Sequence, residues 1–305
     1  MAPLAEIVGL TKTYAGGSVR ALDSLTVSVE PGLIGLVGAN GAGKSTLFRI
    51  LLGLSQPDAG SVRVAGIDVG DDPIGVRSRL GFMPEHDCLP TDQSAADVVS
   101  MLGELAGLPP HDARQRASDI LDLVGLDEAR FRPIEGFSTG MRQRTKLAQA
   151  LVADPHLVLL DEPTAGLDPA GRHEMLELVR RLGRFGISVL MATHLLDDVQ
   201  STCDQVVMID GGRLVGAGRT DDLLESSGVL RVDVGGRGRR LVEVLGHTLG
   251  IDAAVLADGS VELPVADDST LDAVVAAVAD AGLPLHALSS RRATLDGLFL
   301  GEGPR

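Results

Sequence analysis

The pattern that most constrains the fold is a glycine-rich loop, GANGAGKST, at residues 38–46. An apolar run, LIGLV at 33–37, precedes it, and TLFRILLGL at 46–54 has the spacing of an amphipathic helix. Between a buried strand and a helix, such a loop turns its backbone N–H groups inward at the positive end of the helix dipole. The pattern therefore predicts an α/β fold with a phosphate-binding turn.

The spacing Gly-x-x-x-x-Gly-Lys-Ser assigns roles within this loop. The Lys44 ammonium would neutralise phosphate oxygens, and the Ser45 hydroxyl would reach Mg²⁺. A chance match is improbable because the chain has only three lysines, Lys12, Lys44 and Lys146, among 27 basic residues. We predict that nucleotide is contacted by Gly38, Ala39, Asn40, Gly41, Ala42, Gly43, Lys44, Ser45 and Thr46.

A second apolar run, HLVLLDE at 156–162, ends in two carboxylates. As a central strand it would deliver both to its carboxyl end, where ligands of parallel sheets collect. Asp161 would then hold the Mg²⁺ shell, and Glu162 would polarise the attacking water. The alternative is a strand that ends in a solvated acidic turn, which is the commoner fate of an isolated Asp-Glu pair. The phosphate loop upstream favours the catalytic interpretation.

The segment FSTGM at 137–141 stands directly before a run of good helix formers at 141–153. Ser138 would cap that helix, Gly140 would allow close backbone approach, and the helix dipole would add partial positive charge. An ordinary capped helix is the alternative interpretation. The position of the segment, about twenty residues before the acidic strand, favours a second anion site.

These motifs, in this order, resemble the nucleotide-binding subunit of ATP-binding-cassette (ABC) transporters over residues 1–225. The resemblance implies a P-loop NTPase fold with a mixed-sheet core and a helical subdomain at about 88–150. It identifies Phe137 to Met141 as the family's signature sequence. It also implies ATP hydrolysis with ATP and Mg²⁺ as cofactors.

The resemblance further implies a dimerisation loop at 165–168, in which Asp168 contacts nucleotide. A switch histidine falls on His194, which follows the apolar strand SVLMAT and would act in catalysis together with Lys44 and Glu162. It also implies a head-to-tail dimer with a second copy or a homologous cassette. The residues favour such a dimer independently, because two outward-facing helix starts cannot easily reach the same ATP.

Two further residues take their predicted roles from the resemblance. Tyr14, the only tyrosine, falls where the family places an aromatic ring on adenine; the alternative is an edge-strand tyrosine with its hydroxyl in water. Glu85 stands where most relatives carry glutamine. An ionised glutamate can still ligate Mg²⁺, but it cannot donate a hydrogen bond to water.

The net charge of −15 excludes a basic nucleic-acid platform, because an acidic surface repels phosphate backbones. The two cysteines, Cys88 and Cys203, have no paired spacing, which suits a reducing cytosol. No apolar run approaches the roughly eighteen residues that span a bilayer. We therefore expect a separate integral membrane permease as partner, with this chain held peripherally at the cytoplasmic face.

The remaining residues, 226–305, predict a small α+β accessory domain. Their element order, β-α-β-β-α-β with a hairpin turn at Asp258-Gly259, suits a ferredoxin-like split unit. Exporter cassettes of drug-resistance type carry similar domains that end in an element like ATLDGLFLGE, here at 293–302. A role in dimer support or regulation is a hypothesis.

Three function classes remain at this point. The first is the ATPase subunit of an exporter of drug-like or lipid-like compounds. The second is a soluble ABC ATPase with a mechanical or regulatory role, although such proteins usually have two cassettes or a long coiled coil. The third is a regulator without turnover, which the intact set Lys44, Asp161, Glu162 and His194 disfavours.

Overall fold

The computed structural model describes residues 3–225, 228–265 and 268–291. Two compact units divide the chain, Met1–Ala217 and Gly218–Arg305. Each has its own cluster of buried apolar side chains.

Strands and helices alternate along most of the first unit. Its strands are β1 (Ala5–Tyr14), β2 (Val19–Val29), β3 (Leu33–Val37), β4 (Ala59–Val64), β5 (Ile67–Asp68), β6 (Leu80–Met83), β7 (Leu157–Asp161), β8 (Ser188–Thr193), β9 (Gln205–Asp210) and β10 (Arg213–Arg219). The helices up to the end of the first described range are α1 (Lys44–Leu51), α2 (Pro73–Arg77), α3 (Ala95–Leu105), α4 (Pro110–Leu123), α5 (Thr139–Leu151), α6 (Pro169–Arg184), α7 (Leu196–Thr202) and α8 (Thr220–Glu225).

A six-stranded sheet in the order β10-β9-β3-β8-β7-β6 forms the centre of this unit. Strand β3 pairs in parallel with β8 and β9, and β7 pairs in parallel with β6 and β8. Every residue of β3, β7 and β8 is buried, which explains their unbroken apolar sequences. Since parallel strands end at the same edge, the segments that follow these three strands meet there.

A second sheet, in the order β2-β1-β4-β5, is antiparallel. Its strands alternate between buried and exposed residues, as in the stretch of β1 from Ala5 to Val8, so one face turns toward the core. Side chains of both sheets and of α1 belong to one apolar cluster. The mixed-sheet core predicted from the sequence is therefore confirmed.

Helices α3 and α4 follow β6 and confirm the helices predicted between Glu85 and Ser138, and α5 begins directly after Ser138. Ser94 caps α3 and Ser138 caps α5; each hydroxyl accepts a hydrogen bond from the N–H three residues later. Helix α1 begins at Lys44, two residues earlier than the apolar spacing alone indicated. None of the helices in the described ranges combines the length and apolarity that crossing a bilayer requires.

The second unit contains β11 (Gly228–Asp233), α9 (Gly238–Thr248), β12 (Ala254–Val255), β13 (Val261–Val265), α10 (Asp268–Asp280) and β14 (Ala287–Arg291). This is the predicted β-α-β-β-α-β order, and the antiparallel sheet runs β12-β13-β11-β14. Asp258 forms the hairpin turn by accepting the Ser260 N–H at 3.1 Å. The predicted terminal element at 293–302 lies outside the described residues.

Candidate active site

A cleft of about 360 Å³ opens where the segments after β3, β7 and β8 meet. It is lined by Ala21, Ala39, Asn40, Gly41, Ala42, Gly43, Lys44, Ser45, Thr46, Glu85, Asp161, Glu162, Ala165 and His194. Four of the stretches that line it carry predicted site residues: the phosphate loop, the segment around Glu85, the acidic pair and His194. The parallel sheet brings them together because each stretch follows the carboxyl end of a strand.

The conformation of the phosphate loop depends on glycine. Gly43 has φ 109°, and a Cβ atom there would lie 2.4 Å from the carbonyl oxygen of Ala21. No other residue fits without moving that backbone. Gly43 also provides no side chain to cap α1, so the first N–H groups of the helix are left for an anion.

The Lys44 side chain is buried and held by its own loop. Its Nζ donates to the carbonyl oxygens of Gly38 at 2.6 Å and Ala39 at 3.3 Å, and lies 4.0 Å from Glu162 Oε1. Burial lowers the pKa of Lys44, while the negative charges of Glu162, Asp161 and Glu85 oppose that shift. The ammonium is therefore positioned before any nucleotide arrives.

Asp161 ends β7 and faces the start of α1. The Ser45 hydroxyl donates to Asp161 Oδ2 at 3.5 Å. Burial raises the pKa of Asp161, and repulsion from Glu85 and Glu162 raises it further, against the opposing influence of Lys44 and Ser45. A cation near this carboxylate would offset both the burial of its charge and its repulsion by Glu85 and Glu162.

Glu162 has a φ of 48°, in the left-handed region that residues other than glycine rarely adopt. Its N–H still donates to the carbonyl oxygen of Ala192 at 2.9 Å, so the chain turns only after the strand pairing is complete. The carboxylate accepts from Thr193 Oγ1 at 3.3 Å and lies 3.0 Å from His194 Nδ1. Strain of this kind is typical of functional sites.

Most residues of the predicted signature and dimerisation loop line a second cleft of about 590 Å³, although Ala165 of the loop lines the first. The second cleft is lined by Ser138, Thr139, Gly140, Met141, Arg144, Gly166, Leu167, Asp168, Ala170, Gly171 and Glu174, none of which lines the first cleft. Asp168 caps α6 by accepting the Gly171 N–H at 2.7 Å. Within one chain, Ser138, Gly140 and Asp168 are therefore not brought together with the phosphate loop.

Tyr14, the predicted adenine-stacking residue, ends β1 and does not line the first cleft. Its hydroxyl is buried without a hydrogen-bond partner, so the alternative of a hydroxyl in water is wrong. The Lys12 ammonium lies 5.7 Å from the centre of the Tyr14 ring. Stacking on adenine stays a prediction.

Sequence reasoning missed two buried charged residues near the cleft. Lys146, 2% exposed, donates from α5 to backbone carbonyls at 84–86. Asp198, 1% exposed, accepts from Thr164 Oγ1 at 2.8 Å and from Arg172 Nε at 2.6 Å. The scarcity of lysine offered a signal for Lys146, whereas Asp198 belongs to an acidic pair that suggests an ordinary solvated helix start.

Comparison with known proteins agrees with this geometry. The family model described as "ABC transporter" matches residues 22–165. The daunorubicin resistance ATP-binding protein DrrA3 of Streptomyces coeruleorubidus is 36% identical over 301 residues, which cover 96% of this chain and 93% of the relative. The daunorubicin/doxorubicin resistance ATP-binding protein DrrA of Streptomyces peucetius is 40% identical over 230 residues, covering 74% and 69%.

Among solved structures, cbiO1 of Clostridium perfringens, part of an ABC transporter complex, superposes with a TM-score of 0.67 at 25% identity. The match covers 82% of this chain and 97% of that structure. Fold, motif order and full-length sequence similarity agree. The chain therefore belongs to the ATP-binding proteins of the ABC transporter family.

Proposed function

We propose that this chain is the ATP-hydrolysing motor subunit of an exporter whose cargo passes through a separate integral membrane permease. The observation that carries the proposal is the single cleft that gathers the phosphate loop, the acidic pair and His194. The names of the relatives support export: they include daunorubicin resistance, linearmycin resistance and Nod factor export ATP-binding proteins. A drug-like or lipid-like compound is the expected class of cargo.

The proposed chemistry is attack of water on the terminal phosphate of ATP. Lys44 and the N–H groups of the loop, from Gly38 to Thr46, would hold the phosphates and stabilise the charge that develops on them. Glu162 would polarise the attacking water, since its carboxylate is oriented by Thr193 and His194. His194, half exposed at the cleft, would donate a hydrogen bond to the terminal phosphate.

Ser45, Asp161 and Glu85 are the proposed residues around Mg²⁺. No set of three or more His, Cys, Asp or Glu side chains in the described ranges is arranged to hold a metal alone. That suits Mg²⁺, which takes one or two carboxylates and keeps water and phosphate oxygens as its other ligands. When bound, the ion would neutralise phosphate charge. Burial and two neighbouring carboxylates raise the pKa of Asp161, and this unfavourable environment for a carboxylate is consistent with a cation-binding site.

We further propose that hydrolysis requires a dimer with a second copy of this chain or a homologous cassette. The first cleft lacks the predicted signature residues Ser138 and Gly140, and the second cleft lacks the phosphate loop. A two-fold related copy would complete both clefts at once, because each chain carries both halves. Asp168 and Tyr14 would add contacts to the bound nucleotides.

In this proposal residues 1–225 are the ATP-binding domain and 226–305 an accessory domain that supports the dimer or regulates it. The chain would lie at the cytoplasmic face of the membrane through its permease. No observation favours the alternative of a soluble mechanical ATPase, and nucleic acid is not an expected partner of a chain with net charge −15.

Turnover by the purified protein tests the proposal. Glu162→Gln should reduce ATP hydrolysis by at least about a hundredfold, retain ATP binding, and accumulate a dimer that ATP induces. Glu128→Gln, an exposed glutamate outside both clefts, is the matched control and should behave as the native protein. Unchanged hydrolysis in Glu162→Gln would refute the catalytic assignment.

Co-purification of an integral membrane protein would support the permease partner, and its consistent absence would favour the soluble alternative.

A further inference from the structure

Lys146 is a buried cation for which the proposed chemistry has no use. It lies in the middle of α5 and is 2% exposed. Its Nζ donates to the carbonyl oxygens of Pro84 at 2.8 Å, Glu85 at 2.8 Å and His86 at 3.5 Å. Lysine is almost never buried so completely without partners. Here its partners are three consecutive backbone carbonyls, one of which belongs to a residue that lines the first cleft.

The segment that Lys146 binds is not held by a sheet or a helix. Strand β6 ends at Met83 and α3 begins at Ala95, so residues 84–86 lie in the connection between them. A buried ammonium that donates to three successive carbonyls restricts the path of this backbone. The direction in which the Glu85 side chain enters the cleft follows from that path.

Helix α5 also reaches the second cleft. Ser138 and Gly140, at its start, line that cleft, and Lys146 lies about 12 Å farther along the same helix. Between them, buried Gln143 donates from Nε2 to the carbonyl oxygen of Ala165 at 3.0 Å. Ala165 lines the first cleft. One rigid helix thus contacts the backbone of two loops of the first cleft while its start forms part of the second.

We propose that Lys146 is a positioning residue that holds the Glu85 loop against α5 and couples Glu85 to the signature end of that helix. This inference rests on the proposed function, in which a partner's nucleotide occupies the signature end. Displacement of α5 by that nucleotide moves the Lys146 ammonium, and the bonded carbonyls at 84–86 follow. Glu85 already lines the first cleft in a single chain. Its position there then depends on whether the second cleft of the same chain is engaged.

The test substitutes Lys146→Met, which keeps the side-chain length and removes the three donors. ATP turnover should fall by at least about tenfold, because small misplacements of catalytic groups are costly. The Mg²⁺ concentration for half-maximal turnover should rise several-fold, and Mg²⁺-free ATP binding should change less than about twofold, since Lys44 and its loop are untouched. Lys146→Arg, which restores donors and charge, should recover most of the activity. Arg130→Met removes a cation that donates to the Ser118 carbonyl away from both clefts, and it should leave the Mg²⁺ dependence unchanged.

A double-mutant cycle with Glu85→Ala separates positioning from general stability. If Lys146 acts through Glu85, Lys146→Met should reduce ATP turnover much less in the Glu85→Ala protein than in the native one. The inference would be overturned by an equal fold loss of ATP turnover in the two backgrounds. A folded Lys146→Met protein with native turnover and native Mg²⁺ dependence would overturn it too. Should Lys146→Met fail to fold, Lys146→Gln in the same cycle gives the same decision. A native chain without ATPase activity, or a fully active Glu162→Gln variant, would instead refute the proposed function.

Discussion

His194 Nδ1 lies 3.0 Å from Glu162 Oε1, although the two residues are separated by 31 others in the sequence. Glu162 follows β7 and His194 follows β8, and these strands are parallel neighbours in the central sheet. The same oxygen, Glu162 Oε1, lies 4.0 Å from the Lys44 ammonium. Nothing local in the sequence places these three side chains together.

His194→Ala should lower ATP turnover by about a hundredfold while ATP affinity changes only a few-fold. In the proposed role the ring orients Glu162 and the terminal phosphate and does not contact adenine. Steady-state kinetics paired with equilibrium ATP binding measures the two effects. His173→Ala is a suitable control, since His173 lines neither cleft. A His194→Ala protein whose loss lies mainly in ATP affinity would contradict this role.

Ser138→Arg should abolish hydrolysis while the monomer still binds ATP, because the bulky cation fills the second cleft and leaves the first intact. Ser94→Arg is the matched control: Ser94 caps α3 as Ser138 caps α5, but it lines neither cleft. ATPase assays and ATP titrations of both variants measure the difference. Parallel loss of binding and hydrolysis in Ser138→Arg would argue against a composite site.

Tyr14→Ala should weaken ATP binding by about three- to tenfold, consistent with the loss of one aromatic contact. Tyr14→Phe should bind ATP as the native chain does, because the hydroxyl is buried without a hydrogen-bond partner and contributes nothing that the ring does not. Fluorescent-nucleotide titration distinguishes the two. If Tyr14→Ala bound ATP with native affinity, the stacking assignment would be dropped.

Asp161→Asn should stabilise the nucleotide-free protein in the presence of EDTA. Burial and the charges of Glu85 and Glu162 raise the pKa of Asp161, so its ionised form costs stability when the pH is above the raised pKa. That cost disappears as the pH falls through the folded-state pKa toward the ordinary Asp value. Melting curves should therefore show a gain of about 2 °C at neutral pH, which shrinks in acid. A destabilised Asp161→Asn protein at neutral pH would show that the carboxylate is already neutralised without Mg²⁺.

Much of the local structure could be predicted because local chemistry causes it. The strand, loop and helix around residues 33–51 follow from an apolar run and from glycines whose conformations other residues avoid. The element order of the second unit follows in the same way from alternating patterns and the Asp258 turn. The helical start at Ser138 was readable because a serine followed by helix formers is a capping signal.

Other features could not be read from neighbouring residues. The strained conformation of Glu162 arises where pairing with β8 ends, and Glu is not a residue that signals positive φ. Asp198 joins Thr164 to Arg172 through contacts that span 34 and 26 positions in the chain. Lys146 and the carbonyl of Glu85 are 61 positions apart.

The sequence by itself determined the candidate reacting groups and the elements that carry them, because a glycine's φ, a serine cap and an apolar strand are properties of a few adjacent residues. Only the tertiary structure decided that the phosphate loop and the signature lie in separate clefts and that Lys146 ties α5 to the Glu85 loop. The physical reason is that strand order in the sheet and helix packing are set by burial summed over the whole core. Contacts between distant positions therefore exist only once that core has formed.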